Sequence, residues 1–391
     1  MKKLVMLTTG IVAVLMILVL TAGCAVYKDN TNFQDIGVVR TDAEGETLWE
    51  QTVDDSGYGD YLSEVTASSD GRVFVVSILT NPPKSNLSMD TNWVACLGPN
   101  GEKLWNWSGS SYPDDLAPAP DRGCVAVFGY SGIVKIGPKG STGWTVPVSE
   151  ILEQFPERKR PSSAEMSAIA LAASGRYIVG GDLPTHSPDG ALCVQIDENG
   201  TVLDAKKYTG QKNPLWRVGA IVPMSDGGCA VIGDLYERPR LTRLDASGDI
   251  LWNVSVPFSS SGYDYHGVRE INKGGLELLV VEQGNGGSDQ GRDIMYGPDG
   301  AVLREETFAI PPGCPITWAT DGGYVVAALM DDEGVLGSSA SEGGSRVHLI
   351  KYNETGHQEW DRIVGSKSMD SVKTIDPIGE NGYVIVGVIK R

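Results

Sequence analysis

The apolar residues come in short runs, and the runs recur in one setting. An acidic or polar residue and a glycine precede each run of four or five apolar positions. The phrase starts at Asp70, Asp121, Ser174, Asp226, Lys273, Asp321 and Glu380, at spacings of 47 to 59 residues. Runs this short, bounded by turn residues, predict buried strands rather than helices. A second phrase alternates with the first. It holds a turn ending in glycine and a tryptophan four residues on: Gly45 and Trp49, Gly101 and Trp105, Gly140 and Trp144, Gly248 and Trp252, Gly356 and Trp360. Gly200 and Gly300 keep the turn but are followed by Asp204 and Arg304. Glycine suits the left-handed end of a short hairpin turn. A tryptophan at a fixed offset on the outgoing strand is placed to pack between neighbouring sheets.

Repeats of roughly fifty residues fall in the range of propeller folds. The order of the phrases decides how the ring closes. Turn-plus-tryptophan comes first, at 42–49, and the Asp-Gly phrase comes last, at 380–388, so each end of the chain holds half a unit. Joined, the halves complete a seventh sheet. The expected fold is all-β: a seven-bladed β-propeller of four-stranded blades, closed by pairing of the N- and C-terminal strands. The C-terminus supplies the inner strands near 371–376 and 383–389, and the N-terminus the outer strands near 36–41 and 46–53. An open solenoid explains the repeat but not the complementary halves, and it leaves strand edges bare. The domain reading is a leader at 1–24, a short linker at 25–35 and the propeller at 36–391.

The leader has its own chemistry. Lys2 and Lys3 precede an uncharged stretch, residues 4–23, that ends Leu20, Thr21, Ala22, Gly23, Cys24. Small residues before a cysteine resemble a prokaryotic lipoprotein signal, which implies lipidation of Cys24. Twenty uncharged residues also suffice to span a bilayer, so an uncleaved membrane anchor is the rival reading. Both place the rest of the chain outside the cytoplasm, tethered to the cytoplasmic membrane or cell surface. The two recurring phrases, of the form Asp-Gly-Gly-Tyr-apolar and Asp-x-x-Gly-x-x-x-Trp, resemble the quinoprotein-type repeats of prokaryotic surface lipoproteins. That resemblance spans residues 36–391 and implies the propeller. It does not imply a cofactor; pyrroloquinoline quinone and calcium enter only under the alternative enzyme reading.

Charge and composition narrow the partners. A net charge of −18 argues against a nucleic-acid partner. Cys96, Cys124, Cys193, Cys229 and Cys314 are widely spaced and read as buried small hydrophobes. No Cys/His set has zinc spacing, and no nucleophile, P-loop or EF-hand motif is present. His348 and His357 read as structural. Tight turns join the first strand to the second and the third to the fourth, so they share one face. The long connections share the other, where loop variation on a rigid scaffold usually places binding. Its candidate residues are Tyr58, Tyr61, Trp216, Tyr263, Asp264, Tyr265 and His266. The competing reading has Asp60, Asp264 and Asp370 satisfying backbone amides at the starts of inner strands. The functional expectation is a non-catalytic, surface-tethered propeller that binds a protein, glycan or small ligand or scaffolds an assembly. The alternative is a quinone-dependent dehydrogenase or a glycan-processing enzyme.

Overall fold

The structure, a computed structural model, describes residues 34–391 except 54–59, 80–90, 110, 112, 184–189, 210–216, 236–237, 258–262, 272–273, 284–288, 320, 331–335, 338–344, 380–381 and 391. Its strands form seven antiparallel sheets. Blade 1 holds Asp60–Ala67, Val73–Leu79, Thr91–Leu97 and Lys103–Gly109. Blade 2 holds Asp115–Pro118, Cys124–Phe128, Gly132–Ile136 and Thr142–Pro147, and blade 3 Glu165–Leu171, Tyr177–Leu183, Gly190–Ile196 and Val202–Thr209. Blade 4 holds Ala220–Pro223, Cys229–Leu235, Arg238–Leu244 and Ile250–Ser255, and blade 5 Tyr263–Ile271, Gly275–Glu282, Asp289–Tyr296 and Val302–Ile310. Blade 6 holds Ile316–Trp318, Tyr324–Met330, Ser345–Tyr352 and Gln358–Met369, with Leu336–Gly337 paired beside its second strand. Among the described residues one helix, α1 (Val148–Glu153), and a 3-10 turn at Glu157–Lys159 lie between blades 2 and 3.

Blade 7 is built from both ends of the chain. Its order from the hub outward is Ser371–Pro377, Tyr383–Lys390, Gln34–Thr41, Thr47–Val53. Gln34 pairs with Lys390 and the register runs unbroken to Arg40 opposite Val384. The first strands of neighbouring blades touch one another all the way round, which closes the ring. The expected propeller and its closure are therefore both present.

Burial follows the position of each strand. Second strands have blades on both sides, so they read as unbroken apolar runs: Val73 to Val76 are fully buried, as are Val325 to Ala328. Outer strands bury one side and alternate, as in the Val302–Ile310 pattern of exposed and half-buried positions. The core is a circle of clusters, each filling the space between two blades.

The turn glycines are dictated by hairpin geometry. In the outer turn of blade 1, Gly98 N donates to Glu102 O at 2.7 Å and Gly101 N to Gly98 O at 2.9 Å. Gly101 has φ +83°, and the strand register slips by one beside it. This is a type I turn closed by a left-handed residue at a bulge. A Cβ there would lie 2.9 Å from the ring of Trp49, which reaches across from blade 7. The glycine thus answers the turn and the neighbouring blade at once.

Candidate functional site

The acidic residues of both phrases are largely occupied by the fold. Asp42, Asp197 and Asp245 each accept two backbone N–H bonds within their own outer turns. In blades 2, 4 and 6 the Asp of the Asp-Gly phrase meets a buried cation on the third strand. The pairs are Asp121–Lys135 at 2.8 Å, Asp226–Arg243 at 2.5 Å and Asp321–Lys351 at 2.5 Å. Burial works against the charge on Lys351, but Asp321 and Glu359 outweigh it and hold its pKa above the usual value. His348 is buried beside Asp361, 3.0 Å from its carboxylate, consistent with a structural role.

On the long-connection face, most of the residues expected to bind lie outside the described set. Cys24, Tyr58 and Trp216 do so entirely. Tyr61, Tyr263, Asp264, Tyr265 and His266 lie in first strands, but their side chains are outside it too. Comparable described carboxylates dock blades. Asp182 accepts a bond from Val218 N at 2.8 Å and Asp289 from Gly313 N at 2.7 Å, each across to the next blade. Asp114 accepts from Gly129 N at 2.6 Å. Beside it Tyr130 is 61% exposed and hydrogen-bonded to Glu165.

The described residues form a cavity on the opposite, tight-turn face. It has a volume of about 580 Å³ and spans the hub ends of blades 1, 2 and 3. Leu116, Pro118, Ile169 and Leu171 give it an apolar wall, and Asp70 and Arg122 a charged lip. Arg122 has φ +74° and is the one non-glycine residue at positive φ among the described residues. The equivalent turn positions in blades 1, 3 and 4 are Gly71, Gly175 and Gly227, at φ +81° to +87°. Blade 2 reads Asp121, Arg122, Gly123, so arginine stands where glycine is the relaxed choice. Gly123 cannot be exchanged instead, since a Cβ there would lie 2.1 Å from Ile136 O. A left-handed arginine costs about 1–2 kcal/mol of backbone strain. Its guanidinium stands 69% exposed with Asp70 3.8 Å away. Burial raises the Asp70 pKa, but Ser68, Arg72 and Arg122 outweigh it and hold the carboxyl below its usual range.

Deeper in the hub are two further carboxylates. Asp115 accepts bonds from Leu116 N and from Ile169 N of blade 3, both at 2.7 Å. Burial, with a smaller push from Asp376 of blade 7 and from Asp114, raises its pKa to about 7. Burial alone raises Asp376 to about 7. Sequence reading passed over Arg122, Tyr130, Asp115 and Asp376. A signal was present for Arg122 in the Asp-Arg-Gly order, which breaks the Asp-Gly phrase. Among the described residues no group of three or more His, Cys, Asp or Glu side chains converges as a metal site.

No family model matches the chain, and no curated protein does. Several solved structures are similar to it at low identity. BamB from Moraxella catarrhalis is 11% identical, with 83% of this chain and 96% of that one covered and a TM-score of 0.42. A protein provisionally assigned as a 6-phosphogluconolactonase from Bacteroides uniformis is 12% identical, over 85% and 97%, with a TM-score of 0.49. The WD40 domain of Toxoplasma gondii coronin is 10% identical, over 93% and 85%, with a TM-score of 0.46. The sheets, their order and the paired chain ends identify this protein as a seven-bladed β-propeller.

Proposed function

We propose that the protein is an extracytoplasmic, membrane-tethered propeller that binds a segment of a partner protein in the hub cavity of its tight-turn face. The observation that carries this reading is Arg122. A strained backbone persists where the side chain it presents is useful, and here it sits on the lip of an apolar cavity. The wall of Leu116, Ile169 and Leu171 suits apolar side chains of an extended segment. Arg122 and Ser68 suit its backbone carbonyls or an acidic neighbour. The lipoprotein-like run from Leu20 to Cys24 supplies the tether.

The test is a peptide-display selection on the full-length protein. Selected peptides are expected to bind Arg122→Gly at least tenfold more weakly, while that variant melts no lower than wild type because its strain is relieved. Equal binding to Arg122→Gly, with binding lost in Trp216→Ala, Tyr263→Ala or His266→Ala, moves the site to the long-connection face. Dye-linked oxidation of alcohols or sugars after addition of pyrroloquinoline quinone and calcium would replace the binding reading with an enzyme.

A further inference from the structure

The described residues form a second cavity on the tight-turn face, beside the first. It has a volume of about 590 Å³ and lies where the outer turn of blade 7 meets the Asp-Gly turn of blade 1. Ser69 and Asp70 line both cavities, so only that turn separates the two. Their linings differ. The hub cavity has a broad apolar wall. In the second, Leu48 and Pro99 supply a small apolar side, and Arg40, Asp42, Glu44 and Asp70 supply charge. Leu48 is the bulged residue of its strand, because Arg40 pairs with Trp49 and Thr41 with Thr47. It is 56% exposed. Gly71 leaves the space beside Pro99 open; a Cβ there would lie 3.3 Å from that ring.

The charges of the lining do not cancel. Arg40 is buried, on the same side of its strand as Val38, which packs toward blade 1. Burial disfavours its charge, and Asp42 works the other way. Asp70 is paired with Arg72 at 2.7 Å and, on the hub side, lies 3.8 Å from Arg122. Glu44 is exposed, and among the described residues its carboxylate has no hydrogen bond or ion pair. With Arg40 set against Asp42 and Arg72 against Asp70, Glu44 is the charge left over. A small apolar side next to one free carboxylate matches a side chain with a hydrocarbon stem and a cationic head. An acidic side chain would be repelled by Glu44, and a wholly apolar one would desolvate that carboxylate without pairing it.

We propose that this second cavity is a side-chain site for a lysine or arginine of the partner segment that occupies the hub cavity. The inference rests on the hub-cavity reading and adds one requirement to it: a basic residue to one side of the apolar ones. Continuity of the cavities places that residue beyond Ser69 and Asp70, on the blade 7 side. Its stem lies on Leu48 and Pro99, and its head meets Glu44. The sign of the partner's charge is also opposite to the net −18 of the chain, which favours encounter.

The experiment extends the peptide-display selection on the full-length protein. The probes are the recovered peptides and copies in which each lysine or arginine is replaced by norleucine. Recovered peptides are expected to carry a basic residue at one fixed position beside their apolar residues. Its replacement by norleucine should weaken binding to wild type about tenfold or more. Glu44→Lys should weaken the parent peptide by a similar factor and no longer prefer the parent over its norleucine copy. Glu44 is exposed in a turn, so the variant should melt as wild type does. Glu198→Lys, the same change in the outer turn of blade 3, controls for long-range charge and should alter binding less than about twofold. Peptides that lose binding to Arg122→Gly but hold Glu44→Lys as tightly as wild type overturn this inference and leave the hub cavity standing. Peptides that do the reverse overturn the hub-cavity reading and leave the basic-residue site standing. Recovered peptides without a shared basic residue, or an equal loss in Glu198→Lys, overturn the inference as well. A selection that recovers no peptide overturns both.

Discussion

The contact between blades 4 and 5 and the contact between blades 3 and 4 solve one packing problem with different residues. At the first, the indole of Trp252 lies over Gly300, and its Nε1 donates to Pro298 O at 2.8 Å. Trp49 and Trp144 repeat the arrangement on Pro99 O and Glu198 O. At the second, Lys206 and Tyr208 cover Gly248, and the tyrosine hydroxyl donates to Gly248 O at 2.7 Å. The contact between blades 5 and 6 gives a third solution. Arg304 stands in the tryptophan position but pairs within blade 5, with Glu277 and Asp293 at 3.1 and 3.0 Å, and Phe308 of blade 5 instead stacks on Tyr324 of blade 6, which stacks on Tyr352. The recurring feature is the left-handed turn. Tryptophan is one way to pack a neighbouring blade against it.

The largest expected effect comes from breaking two contacts at once. Deleting residues 34–53 removes Gly45, which receives Trp360, and Trp49, which covers Gly101. It also bares the edge of Tyr383–Lys390. Loss of the cooperative thermal transition, followed by circular dichroism, is expected; a cooperative melt in the truncated chain would refute ring closure as a requirement. Next is Trp252→Ala. Truncating a half-buried indole that also donates a hydrogen bond should cost about 3 kcal/mol in urea unfolding. Tyr208→Phe tests the substitute lock more gently. It keeps the ring and removes one hydrogen bond to Gly248 O, so about 1 kcal/mol is expected. A Tyr208→Phe loss as large as that of Trp252→Ala would mean that the hydroxyl, rather than the packed ring, carries the contact.

The last test concerns the hub, where no lock is involved, and it reads the pH profile instead. Asp376 has a folded pKa of about 7, raised from 3.8 by burial. The folded state therefore holds a proton that the unfolded chain has already released between about pH 4 and 7. That contribution is complete below the unfolded value and is lost as pH rises through about 7. Asp376→Asn should flatten this part of the profile of melting temperature against pH and raise the melting temperature at pH 8. A profile unchanged in the variant would show that the group is solvated in the folded protein.

The architecture was legible because its signal is local and repeated. Each hairpin needs a left-handed residue, each second strand needs apolar side chains on both faces, and both demands recur at a steady spacing. The half-units at the chain ends were equally plain, since ring closure is a matter of order. The site was less legible because it depends on which blades meet at the hub. Nothing local in Asp115 or Asp376 says that both are buried at the hub. Cys193 and Cys229 stand on different blades, and only the alternation of their strands places both in one cluster. Arg122 was readable in principle, through the exchange of Asp-Gly-x for Asp-Arg-Gly in an otherwise regular phrase.

Closure of blade 7 also sets the timing of folding in a chain made from its N-terminus. Gln34–Thr41 emerges first, but its inner partner, Tyr383–Lys390, is among the last residues to appear. Until then the early strand has an open edge, and six blades can stack without becoming a ring. The ring stays open through most of synthesis, and it closes only when the final strand slides between Ser371–Pro377 and Gln34–Thr41.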